Sequence, residues 1–134
     1  MDKITSQMIS SAYKALVNAY APYSHFRVAS TIYTAQGNFY TGVNVENSSY
    51  GLTICAEASA ICQMVSSGEQ SIKSIVILAD NNLLCSPCGA CRQRIHEFAD
   101  THTQIHLCNK DSIFHTLTID NVLPLAFDFD FKPE

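Results

Sequence analysis

The spacing of hydrophobic and polar positions changes several times along the chain, and each change marks an element. From Ser6 to about Tyr20, Met8, Ala12, Leu16 and Ala19 recur at helical spacing until Pro22 stops the pattern. Two β-rich runs follow, at 28–34 and 39–45, separated by Ala35-Gln36-Gly37-Asn38, which has the composition of a hairpin turn. A polar stretch from Glu46 to Thr53 leads into a second predicted helix over 55–67, with Gly68 at its end. The run Ile75-Val76-Ile77-Leu78 makes 74–79 a buried strand. Pro87 opens a third helix to about Ala99, because proline suits a first helical turn. Strands are then expected at 104–108 and 113–117, followed by a short helix ending near Pro124. Strands alternating with helices after an initial hairpin imply a mixed sheet with crossover helices packed on it. No internal repeat, low-complexity tract or linker divides the chain, so residues 1–134 read as one domain.

Composition narrows what such a domain would do. At 134 residues, 47% hydrophobic and 15% charged, the chain has enough apolar material for one core. Its longest apolar run, 72–79, contains Lys73 and is far shorter than a membrane-spanning helix. The opening Met1-Asp2-Lys3-Ile4-Thr5-Ser6-Gln7 has no basic segment followed by an apolar one, so the expected compartment is the cytoplasm. The net charge is −4 with only eight Lys plus Arg, and no basic stripe follows one face or segment. Tracking a nucleic-acid backbone needs many neutralised phosphates, so a small neutral ligand suits this charge better than a polynucleotide.

Six cysteines, at 55, 62, 85, 88, 91 and 108, are spaced for metal binding or catalysis rather than for a disulfide framework. Cys55-Ala56-Glu57 and Pro87-Cys88-Gly89-Ala90-Cys91 both fall at predicted helix N-termini, where free backbone N–H groups and the helix dipole favour thiolates. Cys88 and Cys91 are one turn apart and face one point, and Cys55 supplies a third sulfur. Three protein ligands leave the fourth position of a tetrahedral zinc for water, as in catalytic rather than structural sites. Glu57 is two residues from Cys55 and off its helix face, so it is free to carry protons beside such a water. The combination matches the zinc deaminase signature of a ligand-x-Glu segment followed by Pro-Cys-x-x-Cys. A competing arrangement adds Cys85, in Cys85-x-x-Cys88-x-x-Cys91, to make a closed four-cysteine structural zinc. Cys62 and Cys108 read as core thiols, and the five histidines, at 25, 96, 102, 106 and 115, show no ligand spacing.

Beyond the zinc signature, five stretches in register resemble the short, homotetrameric cytidine deaminases over nearly the whole chain. They are Pro22-Tyr23-Ser24-His25-Phe26-Arg27-Val28, the segment from Thr41 to Tyr50, Cys55-Ala56-Glu57, the segment from Pro87 to Gln93, and Leu123-Pro124-Leu125-Ala126-Phe127. The resemblance implies a three-layer α/β/α fold around a five-stranded mixed sheet and one zinc ion per chain on Cys55, Cys88 and Cys91. It implies that Glu57 shuttles protons, Phe26 stacks on the pyrimidine, and Asn44 and Glu46 bind the ribose hydroxyls. Backbone groups of Ala56 and Cys88 would read the base, Tyr50 would line the substrate site, and Phe127 would reach toward a neighbour's active site. The implied reaction is hydrolytic deamination of free cytidine and 2'-deoxycytidine, as in pyrimidine salvage.

Two features stand out against this pattern. Ala58 stands where many members with three cysteine ligands carry an arginine that offsets thiolate charge, which leaves the helix N-termini, Arg92 and Arg94 as possible compensation. The C-terminal segment is unusually apolar, with Leu123, Leu125, Ala126, Phe127, Phe129 and Phe131 broken by Asp128 and Asp130. Such a segment calls for cover, and the resemblance points to a partner subunit of a homotetramer.

Overall fold

Asp2 starts the first helix by accepting a 2.7 Å hydrogen bond from the Thr5 N–H, which satisfies one of the free amides of the first turn. In this computed structural model, which describes residues 1–129, helix α1 runs Lys3–Leu16. The element order continues β1 (Val28–Thr34), β2 (Phe39–Val43), α2 (Ala56–Ser66), β3 (Ile72–Ala79), α3 (Gly89–Phe98), β4 (Gln104–Cys108), β5 (Ile113–Leu117) and α4 (Ile119–Val122). Single 3-10 turns at Tyr50–Leu52 and Asp80–Asn82 complete it. Asp130 and Phe131, counted above in the apolar C-terminal segment, lie outside the described residues.

Five strands form one sheet in the order β2-β1-β3-β4-β5. Only β3 and β4 run parallel, joined through α3, and the other neighbours are antiparallel, so the sheet is mixed as expected. Residues of β3 alternate between the two faces. Val76 and Leu78 pack with Met8, Ile9, Ala12 and Leu16 of α1, whereas Ile75 and Ile77 pack with Ala60, Ile61 and Met64 of α2 and Ile95 of α3. Helix α1 therefore covers one face, and α2, α3 and α4 cover the other, which makes the three-layer α/β/α arrangement.

Gly42 governs how closely β2 and α2 approach. A Cβ there would stand 2.6 Å from the Ala56 carbonyl oxygen and 2.7 Å from the Ser59 Cβ, and would also press on the Ala60 backbone nitrogen. Only glycine lets the start of α2 lie this near the sheet. At the other end, Gly68 takes φ +94° just past the C-cap Ser67, a left-handed conformation in which glycine has no Cβ clash.

Three elements are bounded differently from the sequence-based expectation, the first two because distant segments pair. Helix α1 stops at Leu16 rather than near Tyr20, because Tyr20 leaves the helical path to pair with the 44–46 segment. Its N–H donates to Asn44 O at 2.9 Å and its carbonyl accepts from Glu46 N at 2.8 Å. Strand β2 ends at Val43, and Val45 continues only as isolated bridges to Tyr20 and Ile54. Helix α3 begins at Gly89 with Cys88 as its N-cap, so Pro87 lies just outside it.

Candidate functional site

Cys55 is the N-cap of α2 and Cys88 the N-cap of α3, so each thiol stands at the positive end of a helix dipole. Cys91, one turn into α3, is buried beneath them. The three sulfurs lie within 4.8 Å of one another, and those of Cys55 and Cys88 are 3.8 Å apart. Sulfurs on a tetrahedral zinc at ~2.3 Å stand about 3.8 Å from each other, so the spacing fits that ion. The titration chemistry fits it too. Burial pushes the thiols of Cys55 and Cys91 upward, and neighbouring negative charge reinforces the shift. Burial also acts on Cys88, but hydrogen bonds from the Cys91 backbone amide, the Cys91 thiol and the Cys55 thiol bring it below its ordinary value. Three thiols this close do not ionise together without a cation among them.

Cys85 does not join the group. Among the described residues, the cluster able to hold a metal comprises Cys55, Cys88 and Cys91. Cys85 instead packs against the main core, where burial raises its thiol to about 11. The closed four-cysteine alternative therefore fails on geometry. Cys108 is a core thiol as expected, pushed up to about 12 by burial. Cys62 is not: it is exposed, because α2 turns Ala60, Ile61 and Met64 to the sheet and leaves Cys62 on the solvent side with Gln63. Of the histidines, His106 is buried, its Nδ1 2.9 Å from Thr116 Oγ1, and none enters the cysteine cluster.

Glu57 sits in the first turn of α2 with 4% of its surface exposed. Burial lifts its carboxyl above the usual carboxylate range, while its own backbone N–H, the Cys91 thiol and the charge of Arg94 act in the opposite direction. A carboxyl near the sulfurs but outside the ligand group is placed to exchange protons there.

The 44–46 segment is fixed from two sides. Val45 exchanges two 2.9 Å backbone hydrogen bonds with Ile54, the residue before Cys55, while Tyr20 holds the other edge. Asn44 and Glu46 both turn to the loop at 23–28. The Asn44 amide oxygen accepts from Val28 N at 2.9 Å, and its Nδ2 donates to Phe26 O at 2.9 Å. Glu46 accepts from the backbone N–H groups of Tyr23 and Ser24, at 3.0 and 3.1 Å, and from the Ser24 hydroxyl. These bonds hold the Glu46 carboxyl below its usual range, the Ser24 hydroxyl contributing most. His25 takes φ 58° within this loop, just before Phe26, whose ring is partly exposed. Asn44 and Glu46 thus hold the Phe26 loop while keeping further donor and acceptor capacity.

Ala56 is buried as the first residue of α2. Tyr50 and Phe127 are largely uncovered, at 78% and 64% exposure. Phe127 meets Phe129 edge-on, with ring centroids 4.9 Å apart, and its carbonyl accepts from Gln93 Nε2 at 3.0 Å. Ser24 and Gln93 are contributors that spacing alone does not single out, since each acts on a partner distant in sequence. The two arginines differ sharply. Arg92 donates from Nε to Pro87 O, from Nη1 to Val122 O and from Nη2 to Ser86 Oγ, at 2.8, 2.8 and 3.0 Å. It ties the loop before α3 to α4. Arg94 instead directs Nη1 to Cys91 Sγ at 3.6 Å.

Fold and site together define a metalloenzyme class in which three thiols from two helix starts could hold a metal and a buried carboxyl stands beside them. Comparison with known proteins gives the same class. The family described as the cytidine and deoxycytidylate deaminase zinc-binding region matches residues 2–107, and the chain belongs to it. The chain is 40% identical over 121 residues to a cytidine deaminase of Sporosarcina psychrophila, covering 90% of this chain and 89% of the relative. It is 41% identical over 128 residues to a cytidine deaminase of Mycoplasma pneumoniae, covering 93% and 96%. The crystal structure of cytidine deaminase from Burkholderia pseudomallei is similar with a TM-score of 0.84 at 33% identity, over 95% of this chain and all of that one (100%). That from Mycobacterium tuberculosis gives 0.83 at 32%, over 96% and 100%. The metal of the site is zinc.

Proposed function

We propose that this chain hydrolyses free cytidine and 2'-deoxycytidine to uridine and 2'-deoxyuridine, releasing ammonia. The observation that carries this reading is the convergence of Cys55, Cys88 and Cys91 on one point with the buried Glu57 carboxyl beside it. Relatives that are named cytidine deaminases and match most of the chain favour the same substrate.

Water adds to C4 of the cytosine ring and the exocyclic amine leaves, so one C–O bond forms and one C–N bond breaks. Zinc held by Cys55, Cys88 and Cys91 would supply the Lewis acidity that makes water a stronger acid near neutral pH. Glu57 takes the first proton of water and delivers it to N3, then takes the proton of the hydroxyl formed at C4 and delivers it to the amino group, which departs as ammonia, so both protons of water are accounted for. Its raised pKa suits a carboxyl that must hold a proton for part of the cycle. Phe26 offers a ring face to the pyrimidine. Asn44 and Glu46 offer an amide and a carboxylate to the ribose hydroxyls, as a hydroxyl that both donates and accepts requires. The Ala56 N–H and the Cys88 backbone bind the polar edge of the base, and Tyr50 lines the sugar side.

The same reading covers the rest of the molecule. Residues 1–134 act as one domain that assembles as a homotetramer, with Phe127 reaching a neighbour's site. Six unpaired cysteines suit a reducing compartment, in keeping with a cytoplasmic enzyme of pyrimidine salvage. No described helix is long and apolar enough to cross a membrane, and the net charge of −4 suits a nucleoside rather than a nucleic acid. The direct test mixes purified protein with cytidine and follows loss of the cytidine absorbance band and release of ammonia, with and without a zinc chelator. Turnover that the chelator abolishes and zinc restores is the expected result. A zinc-loaded protein that leaves cytidine and deoxycytidine unchanged would refute the assignment.

A further inference from the structure

Three thiolates within 4.8 Å of one another carry more negative charge than one divalent cation cancels, leaving about −1 at the site, with the Glu57 carboxyl adding to it. The cation that answers this excess has to be close. Arg27 is held by Asp80, with Nε and Nη2 at 2.6 and 3.1 Å from its carboxylate. Arg92 spends Nε, Nη1 and Nη2 on backbone carbonyls and a serine hydroxyl. Lys73 and Lys110 lie over the rings of Tyr33 and Tyr13. Arg94 is different: it follows Cys91 by three residues on α3, the spacing that brings side chains together on one helix face, and its Nη1 lies 3.6 Å from Cys91 Sγ. Ala58, on the facing helix, is buried and uncharged.

We propose that Arg94 is the charge-balancing and positioning residue of the zinc site, offsetting the excess thiolate charge from the solvent side and holding the Cys91 side chain toward the metal. Arg94 itself is exposed, so this support crosses the protein surface and depends on salt. A carboxylate or backbone partner commonly plays the supporting role toward histidine ligands; here a cation plays it toward a thiolate.

The inference rests on the zinc-site reading, and zinc affinity measured by chelator competition separates the two. Wild type, Arg94→Gln and Arg94→Lys would be compared at low and at high salt, with circular dichroism checking that each is folded. Loss of a residue supporting a metal ligand typically weakens metal binding 10–100-fold. Arg94→Gln is expected to lose about tenfold at low salt, the lower end of that range, because the guanidinium is exposed. Arg94→Lys keeps the charge and should recover most of that affinity. The gap between wild type and Arg94→Gln should narrow at high salt. Zinc affinity of Arg94→Gln within about twofold of a stoichiometric wild type would overturn the role of Arg94 alone, on the scale expected of a supporting residue. Equal losses in the lysine and glutamine variants would also overturn it, assigning Arg94 to packing instead of charge. A folded wild type that binds no zinc would overturn the site reading together with the proposal.

Discussion

Replacing Glu57 with glutamine isolates the proton-transfer chemistry from everything else at the site. The amide matches the carboxyl in size, so the 4%-exposed pocket in the first turn of α2 stays filled and the three sulfurs keep their places. Zinc content should therefore stay at one per chain. What is lost is the exchangeable proton. A positioned general acid–base is typically worth about 10²–10⁴-fold in rate, or about 2.7–5.4 kcal/mol of barrier at 1.36 kcal/mol per decade. In the proposed mechanism Glu57 serves water, N3 and the leaving amine in turn, so the loss should fall at the upper end of that range. The substrate contacts proposed for Phe26, Asn44 and Glu46 are untouched, so KM should change far less than kcat. The assay is steady-state turnover of cytidine by variant protein of verified zinc content. The metal-free protein offers a second readout. Burial raises the Glu57 pKa in the folded state, so the folded protein holds its proton more tightly than the unfolded chain does. Stability therefore falls as pH rises above the unfolded carboxyl value and through the folded one. Glutamine removes that slope, so metal-free Glu57→Gln should be as stable as wild type in acid and more stable near neutrality. A zinc-loaded variant retaining more than a tenth of wild-type kcat would refute the proton-carrier role.

Cys85→Ala should keep one zinc per chain and near-normal activity, whereas Cys88→Ala and Cys91→Ala should lose the metal; atomic absorption of the purified variants reads this directly. A Cys85 variant without zinc would reverse the ligand set. Gly42→Ala forces a Cβ against the backbone at Ala56–Ala60 and should cost about 1–3 kcal/mol, the usual range for overpacking, measured by denaturant unfolding. Because the strain falls on the turn that carries Glu57, kcat should drop as well. Removing the chain from Leu125 onward takes away the exposed Leu125, Phe127 and Phe129, and should cost both assembly and activity. Light scattering that found a fully active monomer would end the shared-site reading.

Much of the molecule can be read along one dimension because its determinants are local. The periods of hydrophobicity place β1, β4 and β5 within their observed bounds, and Cys55 and Cys88 mark helix starts because N-caps and the residues around them are short-range signals. The pairing of Cys88 with Cys91 follows from the same source, since the two are one helical turn apart whatever the rest of the chain does. Tertiary structure decided the points at which distant segments compete for the same groups. Tyr20 gives up its helical turn to pair with Asn44 and Glu46, which ends α1 at Leu16 and ties down the loop bearing Phe26. Cys85 has the spacing of a ligand yet goes to the core, because the chain before α3 packs there instead of turning toward the other sulfurs. Arg92 and Arg94 are equivalent candidates in one dimension. They are separated only because two residues on a helix point about 200° apart, one toward α4 and the other toward Cys91.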